Sequence, residues 1–331
     1  MEQIASSNVT QVGTLTRFSL YSKAIDGNPA GESAERDVMV YLPPSYATSN
    51  KTYPVIYLLH GMTASPAEWF ESPFHNPQCD ITMNTLIRSG AVDEMILVAP
   101  CAKTALGGSW YLESTITGDW PHFICEELVS EIEQRYRVHA SASKRALIGH
   151  SMGGIGAMTL TNRYPTLFGY VAALSPANPM LESSPVTEGD WQFFEQQLSI
   201  LEAGGEPEWM TYVSLVFLQH YFPDTGNPPY YYDHQAASEQ FAKLADYNLE
   251  TLFVDWTPTR LSPQYFAEMG TQEGEYKGKA ITERFNDVMA LLKRKGMNLD
   301  YEVFEGGHCD KIADRMRRVF LRADRFFHAN D

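Results

Sequence analysis

Gly149-His150-Ser151-Met152-Gly153 places a serine midway between two glycines. A serine hydroxyl is a poor nucleophile unless a base removes its proton, so the motif has meaning only with partners elsewhere in the chain. The pattern G-x-S-x-G arises by chance in about one chain in ten of this length, so its surroundings carry the weight. The apolar run RALIG (145–149) reads as a strand, and 152–164 reads as a helix. A strand, a sharp turn and a helix are what a nucleophile elbow requires. Glycine on both sides lets the turn close where a Cβ would collide. The chemistry expected is acyl transfer through a covalent intermediate on Ser151.

In this arrangement the acid and then the histidine follow the nucleophile in the chain. His220 and His234 fall within an irregular aromatic stretch, and His328 lies in the closing helical segment. His308, in Phe304-Glu305-Gly306-Gly307-His308, follows the last strand-like run and is the expected base. The acid must hold the imidazole and stabilise its charged form. Glu273, in the loop after QYFAEMG (264–270), is in the right place. Asp255 is its rival because TLFV (251–254) also looks strand-like, and Glu268 and Glu275 are weaker alternatives. The oxyanion needs two backbone N–H groups. The amide of Met152, just after the nucleophile, supplies one, and the turn His60-Gly61-Met62-Thr63 supplies the other through Met62. His60 is expected to support that turn by hydrogen bonding rather than to act as a base.

These residues need a scaffold. RFSLYS and VMVYL in the first 45 residues read as strands around the polar turn DGNPAGESAERD. YPVIYLL (53–59), MILVAP (95–100), RALIG and GYVAALS (169–175) are continuous apolar runs of the kind buried on both faces of a parallel sheet. Asp119 is a fitting N-cap, with Pro121 in the first turn and Ile124, Leu128 and Ile132 at helical spacing. Strand 264–270, helix 279–295, strand 299–304 and helix 310–328 resume the alternation, which argues for a mostly parallel sheet covered on both faces. The interval 178–262 breaks that rhythm with Trp191, Phe194, Trp209, Tyr212, Phe217 and Tyr230-Tyr231-Tyr232. It reads as an insertion within a single domain spanning 1–331. It either caps a ligand site at the carboxyl ends of the strands or packs its aromatics into a core of its own.

Composition narrows the function classes. The 331 residues carry 25 Lys and Arg against 41 Asp and Glu, a net charge of −16. That leaves no basic footprint for nucleic acid and favours solubility. No apolar run reaches the length of a membrane span. MEQIASSNVT lacks the features of a signal peptide, which fits a cytoplasmic protein or a secreted one whose signal has been removed. Homo-oligomerisation is compatible with the composition. The four cysteines, 79, 101, 125 and 309, form no C-x-x-C and read as reduced, mostly buried thiols. No metal motif and no phosphate-binding glycine loop is present, so cofactor-free chemistry is expected.

The stretches VMVYLPPSY, YPVIYLLHGM, GSWYLESTITGDWPHFICEELVSEIEQRYRV, LIGHSMGGIGAM, GYVAALSP, GTQE and FEGGH, in this order, resemble the esterase D-like family of α/β-hydrolases. That group includes feruloyl esterases and S-formylglutathione hydrolases. The resemblance implies an α/β-hydrolase fold, with a mostly parallel central sheet flanked by helices; the aromatic-rich, helical, cap-like insertion at 178–262 is longer than in compact members of the family, which leaves the substrate class open. It places the family serine on Ser151, the histidine on His308 and the oxyanion segment on His60, Gly61 and Met62. The family acid follows a G-T-x-D pattern, which lands on Glu273, a departure from Asp to Glu. Gly108-Ser109-Trp110-Tyr111 resembles the segment near the acyl pocket, so Trp110 either lines the site or packs in the core. The implied activity is a serine carboxylesterase acting on small short-chain or aromatic acyl esters, of feruloyl or acetyl-sugar type. A thioesterase of the S-formylglutathione hydrolase type or an acyltransferase is the alternative, and a non-catalytic binding module a lesser one.

Overall fold

The computed structural model describes residues 12–72, 77–177, 187–246, 249–259, 262–276 and 278–330. Parts of the expected insertion, 178–186, 247–248 and 260–261, lie outside the described residues, as does the segment 1–11.

Among the described residues, eight strands form the central sheet: β1 (Thr14–Tyr21), β2 (Glu35–Leu42), β3 (Val55–Leu59), β4 (Ile96–Pro100), β5 (Arg145–His150), β6 (Tyr170–Leu174), β7 (Gln264–Gly270) and β8 (Leu299–Phe304). Their order is β1-β2-β4-β3-β5-β6-β7-β8. The first two strands join antiparallel, and everything from β4 to β8 is parallel. The continuous apolar runs are explained by burial on both faces. Val55, Tyr57 and Leu59 point into one core, with Leu147, Val171 and Ala173 beside them. Their alternates Ile56 and Leu58 point into the other, with Ala146, Ile148 and Ala172. Side chains alternate across a strand, so a strand with two dry faces has no polar positions to show.

Helices cover the sheet. They include α1 (Cys79–Arg88), the composite α2 of Trp120–His122, Phe123–Leu128 and Val129–Arg135, and α3 (Met152–Arg163). Asp119 caps α2, accepting the His122 N–H at 3.0 Å, and the middle stretch of α2 is one widened π turn. Between β6 and β7 lie α4 (Glu188–Glu202), α5 (Trp209–Tyr221), α6 (His234–Gln240) and α7 (Leu249–Leu252). TLFV is therefore not a strand: it spans the end of α7 and a turn, which leaves Asp255 exposed. Helices α8 (Ile281–Arg294) and α9 (Ile312–Ala329) complete the chain's alternation. The sequence reading did not include α1 or the two short hairpins Glu113–Ser114/Gly118–Asp119 and Glu275–Tyr276/Lys279–Ala280.

All four cysteines are free. Cys79 and Cys125 are buried, Cys101 and Cys309 half-buried. Among the described residues no helix is long and apolar enough to cross a membrane.

Candidate functional site

The turn from β5 into α3 holds Ser151 at φ 58° and ψ −122°, a conformation that costs a non-glycine residue free energy and persists only where its surroundings enforce it. The surroundings here are tight. A Cβ on Gly149 would lie 1.9 Å from the Gly153 carbonyl oxygen, and one on Gly153 would lie 2.0 Å from that of Leu59. Both contacts are with backbone, so only glycine fits. The elbow is also tied to β6: the Ser151 N–H donates to the Leu174 carbonyl at 3.0 Å, and the Ser151 carbonyl accepts from Ala177 at 3.0 Å.

The 60–64 turn runs beside the serine, close enough that a Cβ on Gly61 would lie 3.2 Å from the Ser151 Cβ. His60 builds this turn. It is fully buried, its Nε2 accepts the Ala102 N–H at 2.8 Å and its Nδ1 donates to the Gly61 carbonyl at 2.8 Å. Burial, reinforced by the charges of Arg36 and Lys103, pushes its pKa down to about 4 even though the Gly61 hydrogen bond opposes the shift. With both ring nitrogens engaged and no place in the cavity lining, it supports the loop. The Thr63 N–H donates to the Gly107 carbonyl at 2.8 Å and fixes the far side of the turn. Among the described residues, the amides of Met62 and Met152 donate to no protein acceptor. Met152 opens α3, where the helix dipole also favours negative charge.

His308 and Glu273 are joined directly: Nδ1 donates to Glu273 Oε2 at 2.6 Å. The carboxylate side chain is 4% exposed and the imidazole 38%. Burial alone would raise the Glu273 pKa, but hydrogen bonds from His308, Ser175 and the Gly270 amide outweigh it and hold the carboxyl below its usual range. With Nδ1 committed as donor, Nε2 is the basic nitrogen. His308 and Ser151 line the same cavity, and no hydrogen bond links the two in this structure. Catalytic hydrogen bonds often tighten only when substrate is bound.

The alternative acids separate clearly. Glu268 is fully buried within β7 and is occupied by Arg315 at 2.5 Å and Arg318 at 2.8 Å. Glu275 lines the cavity from its short hairpin, but the His308 ring is bonded to Glu273. Asp255 is exposed and lines no part of the cavity.

The cavity is about 1060 Å³, at the upper end of the range for small-molecule sites. Met62, Ser151, Glu273 and His308 line its floor, and Trp209, Met210 and Tyr212 from the first turn of α5 line another wall. Trp110 is not among the lining residues. It is 1% exposed, with its ring centroid 5.2 Å from that of Phe217. Core packing is thus its role in this structure, against Phe217 of α5. Sequence reasoning passed over three further residues around Ser151, Glu273 and His308: His150, Ser175 and Arg315. The last had a readable signal, because Ile312, Met316, Val319, Phe320 and Ala323 form an apolar stripe on α9 and Arg315 falls within it.

The Esterase family model matches residues 32–242, more than half of the chain, and the chain belongs to that family. An endo-1,4-beta-xylanase/feruloyl esterase from Xylanibacter ruminicola is 29% identical over 147 residues, which cover 43% of this chain and 20% of that protein. An esterase of Mycobacterium tuberculosis is 32% identical over 162 residues, 48% of this chain and 30% of that one. The matched segments therefore span less than a third of either relative's length. A ferulic acid esterase structure superposes with TM-score 0.60 at 22% identity, covering 95% of this chain and 98% of the other. An S-formylglutathione hydrolase from Agrobacterium tumefaciens superposes with TM-score 0.62 at 18% identity, covering 98% and 99%. The fold is that of the α/β-hydrolase esterases.

Proposed function

We propose that this member of the Esterase family is a serine carboxylesterase in which Ser151, His308 and Glu273 form the catalytic triad. The observation that carries the reading is the 2.6 Å bond between His308 and Glu273, in a cavity that also receives the strained elbow serine. His308 Nε2 takes the Ser151 proton as Oγ attacks the ester carbonyl. The amides of Met62 and Met152 stabilise the oxyanion of the tetrahedral intermediate. His308 then gives the proton to the leaving alcohol, and an acyl-serine remains. Water repeats the sequence: His308 removes its proton, the acid departs and Ser151 Oγ recovers its hydrogen. Glu273 stays ionised throughout, which its lowered pKa favours.

The segment from 178 to 262 serves as a cap within a single α/β-hydrolase domain. The support is the placement of Trp209, Met210 and Tyr212 in the cavity wall. An apolar and aromatic wall suits short-chain or aromatic acyl esters, in line with the feruloyl esterase named among the relatives. The structural neighbour that hydrolyses S-formylglutathione keeps a thioester as the second reading.

Initial rates on p-nitrophenyl acetate, butyrate and octanoate, methyl ferulate and a formyl thioester test this, with Ser151→Ala alongside. Ester turnover that disappears in the variant is expected. Preference for the thioester by tenfold or more in kcat/KM, an order-of-magnitude threshold for real discrimination, would move the assignment to the second reading. Turnover unchanged in Ser151→Ala would overturn both.

A further inference from the structure

The imidazole of His308 follows two glycines, Gly306 and Gly307, in the loop after β8, so something must fix its direction. Backbone bonds tie the two glycines, Gln272 N–H to the Gly306 carbonyl at 2.9 Å and Asp310 N–H to the Gly307 carbonyl at 3.2 Å, and at His308 itself the carbonyl oxygen accepts two side-chain donors, His150 Nε2 at 2.9 Å and Arg315 Nη1 at 3.0 Å. The two donors come from different sides. His150 ends β5 and immediately precedes the serine, and its ring lies 4.9 Å from that of His308. Arg315 comes from α9 and is fully buried. Its other donors are also committed: Nε reaches Glu268 Oε1 at 2.5 Å, and Nη2 reaches Ser175 Oγ at 2.8 Å. The guanidinium stacks on Phe304, 4.3 Å from the ring centroid. One planar cation thus ties together the end of β6, the interior of β7 and the histidine loop. Its buried charge is balanced by Glu268, which Arg318 also contacts. Such a buried network is costly unless every member is satisfied, and when satisfied it fixes geometry. Ser175 accepts from Arg315, which leaves its own proton free to point at Glu273. Neither His150 nor Arg315 lines the cavity.

We infer that His150 and Arg315 are positioning residues for the hydrolytic reaction: they clamp the His308 carbonyl and so aim the imidazole between Glu273 and Ser151. The inference rests on the serine esterase reading. Neither residue touches substrate, so loss of the clamp acts on kcat and leaves KM in place. Misplacement of a catalytic group by about 1 Å costs on the order of a hundredfold in rate, so a partial loss of aim gives about tenfold or more.

The test measures kcat, KM and Tm for the wild type, His150→Leu, His150→Gln, Arg315→Lys and Ser151→Ala on p-nitrophenyl acetate. His150→Leu keeps the bulk and removes the donor, and it is expected to lower kcat at least about tenfold with KM unchanged. His150→Gln restores an N–H donor and is expected to recover most of the loss, which a purely structural role for the ring would not produce. Arg315→Lys keeps the charge opposite Glu268 but cannot reach three acceptors in a plane, and kcat again falls with KM held. That variant decides the question if His150→Leu does not fold. Ser151-dependent hydrolysis with wild-type kcat in both donor variants would overturn the clamp alone, as would a His150→Gln no faster than His150→Leu. Hydrolysis independent of Ser151 would overturn the esterase reading and the clamp with it.

Discussion

The carboxyl edge of the sheet and the segment between β6 and β7 solve different problems with different forces. At the sheet edge, position is set by backbone contact and hydrogen bonds: glycines at 149 and 153 that admit no Cβ, a histidine carbonyl held by two donors, a carboxylate held by three groups. In the segment from α4 to α7, position is set mainly by aromatic packing. Trp191 lies 5.4 Å from Phe194 and 5.0 Å from Phe241, and Phe194 lies 6.4 Å from Tyr232. Its polar ties to the rest of the molecule include His220 to the Glu113 carbonyl at 2.7 Å and Asn162 to the Leu252 carbonyl at 2.7 Å. Hydrogen bonds fix angles, whereas apolar packing fills volume and tolerates substitution. On the proposed reading, the chemistry belongs to the sheet edge and the choice of substrate to the segment that contributes Trp209, Met210 and Tyr212 to the cavity wall.

Substitutions can break that division. The largest effect is expected for Ser151→Ala, with kcat falling about a thousandfold or more on every ester while the fold persists. Glu273→Gln comes next, at about a hundredfold to ten-thousandfold in kcat, with Asp255→Asn unchanged in the same assay. A third variant, Gly153→Ala, tests the steric basis of the elbow. Its methyl would meet the Leu59 carbonyl at 2.0 Å, so thermal unfolding should show a loss of about 3 kcal/mol or more. On the other side of the comparison, Trp209→Ala should leave kcat for the acetate ester near wild type. It should change the ratio of kcat/KM between methyl ferulate and acetate by about fivefold to tenfold, because this half-exposed ring lines the cavity wall. If it instead lowered all esters equally, the division would fail.

The last prediction is a pH dependence of stability. His60 has an ordinary pKa of 6.5 and is pushed down to about 4 in the fold. The unfolded chain therefore binds the proton more readily than the folded one, and protonation favours unfolding. The stabilisation is complete above pH 6.5 and is lost as pH falls toward about 4. Tm measured across that window should decline on acidification, and His60→Gln should flatten the decline.

The same contrast explains what the sequence disclosed. Strands β3 to β6 were legible because two dry faces leave an unbroken apolar run. Ser151 and His308 were legible because glycines flank the one and precede the other. Glu273 was legible from its place after β7, although its bond to His308 was not. TLFV misled because a short apolar run has the same composition in a helix end as in a strand. Trp110 stayed open in the sequence because one tryptophan side chain suits a pocket wall and a core equally well, and its packing against Phe217 puts it in the core. The clamp on His308 was illegible for a different reason. It is made by a backbone carbonyl, which has no sequence signature, and by donors 158 and 7 residues away.

Fluorophosphonate labelling followed by peptide mapping of the folded protein would probe the triad at its nucleophile. One label per chain on Ser151 is the predicted result, abolished in Ser151→Ala and slowed in Glu273→Gln. A label on any other serine, or undiminished ester hydrolysis with Ser151 unmodified, would contradict it.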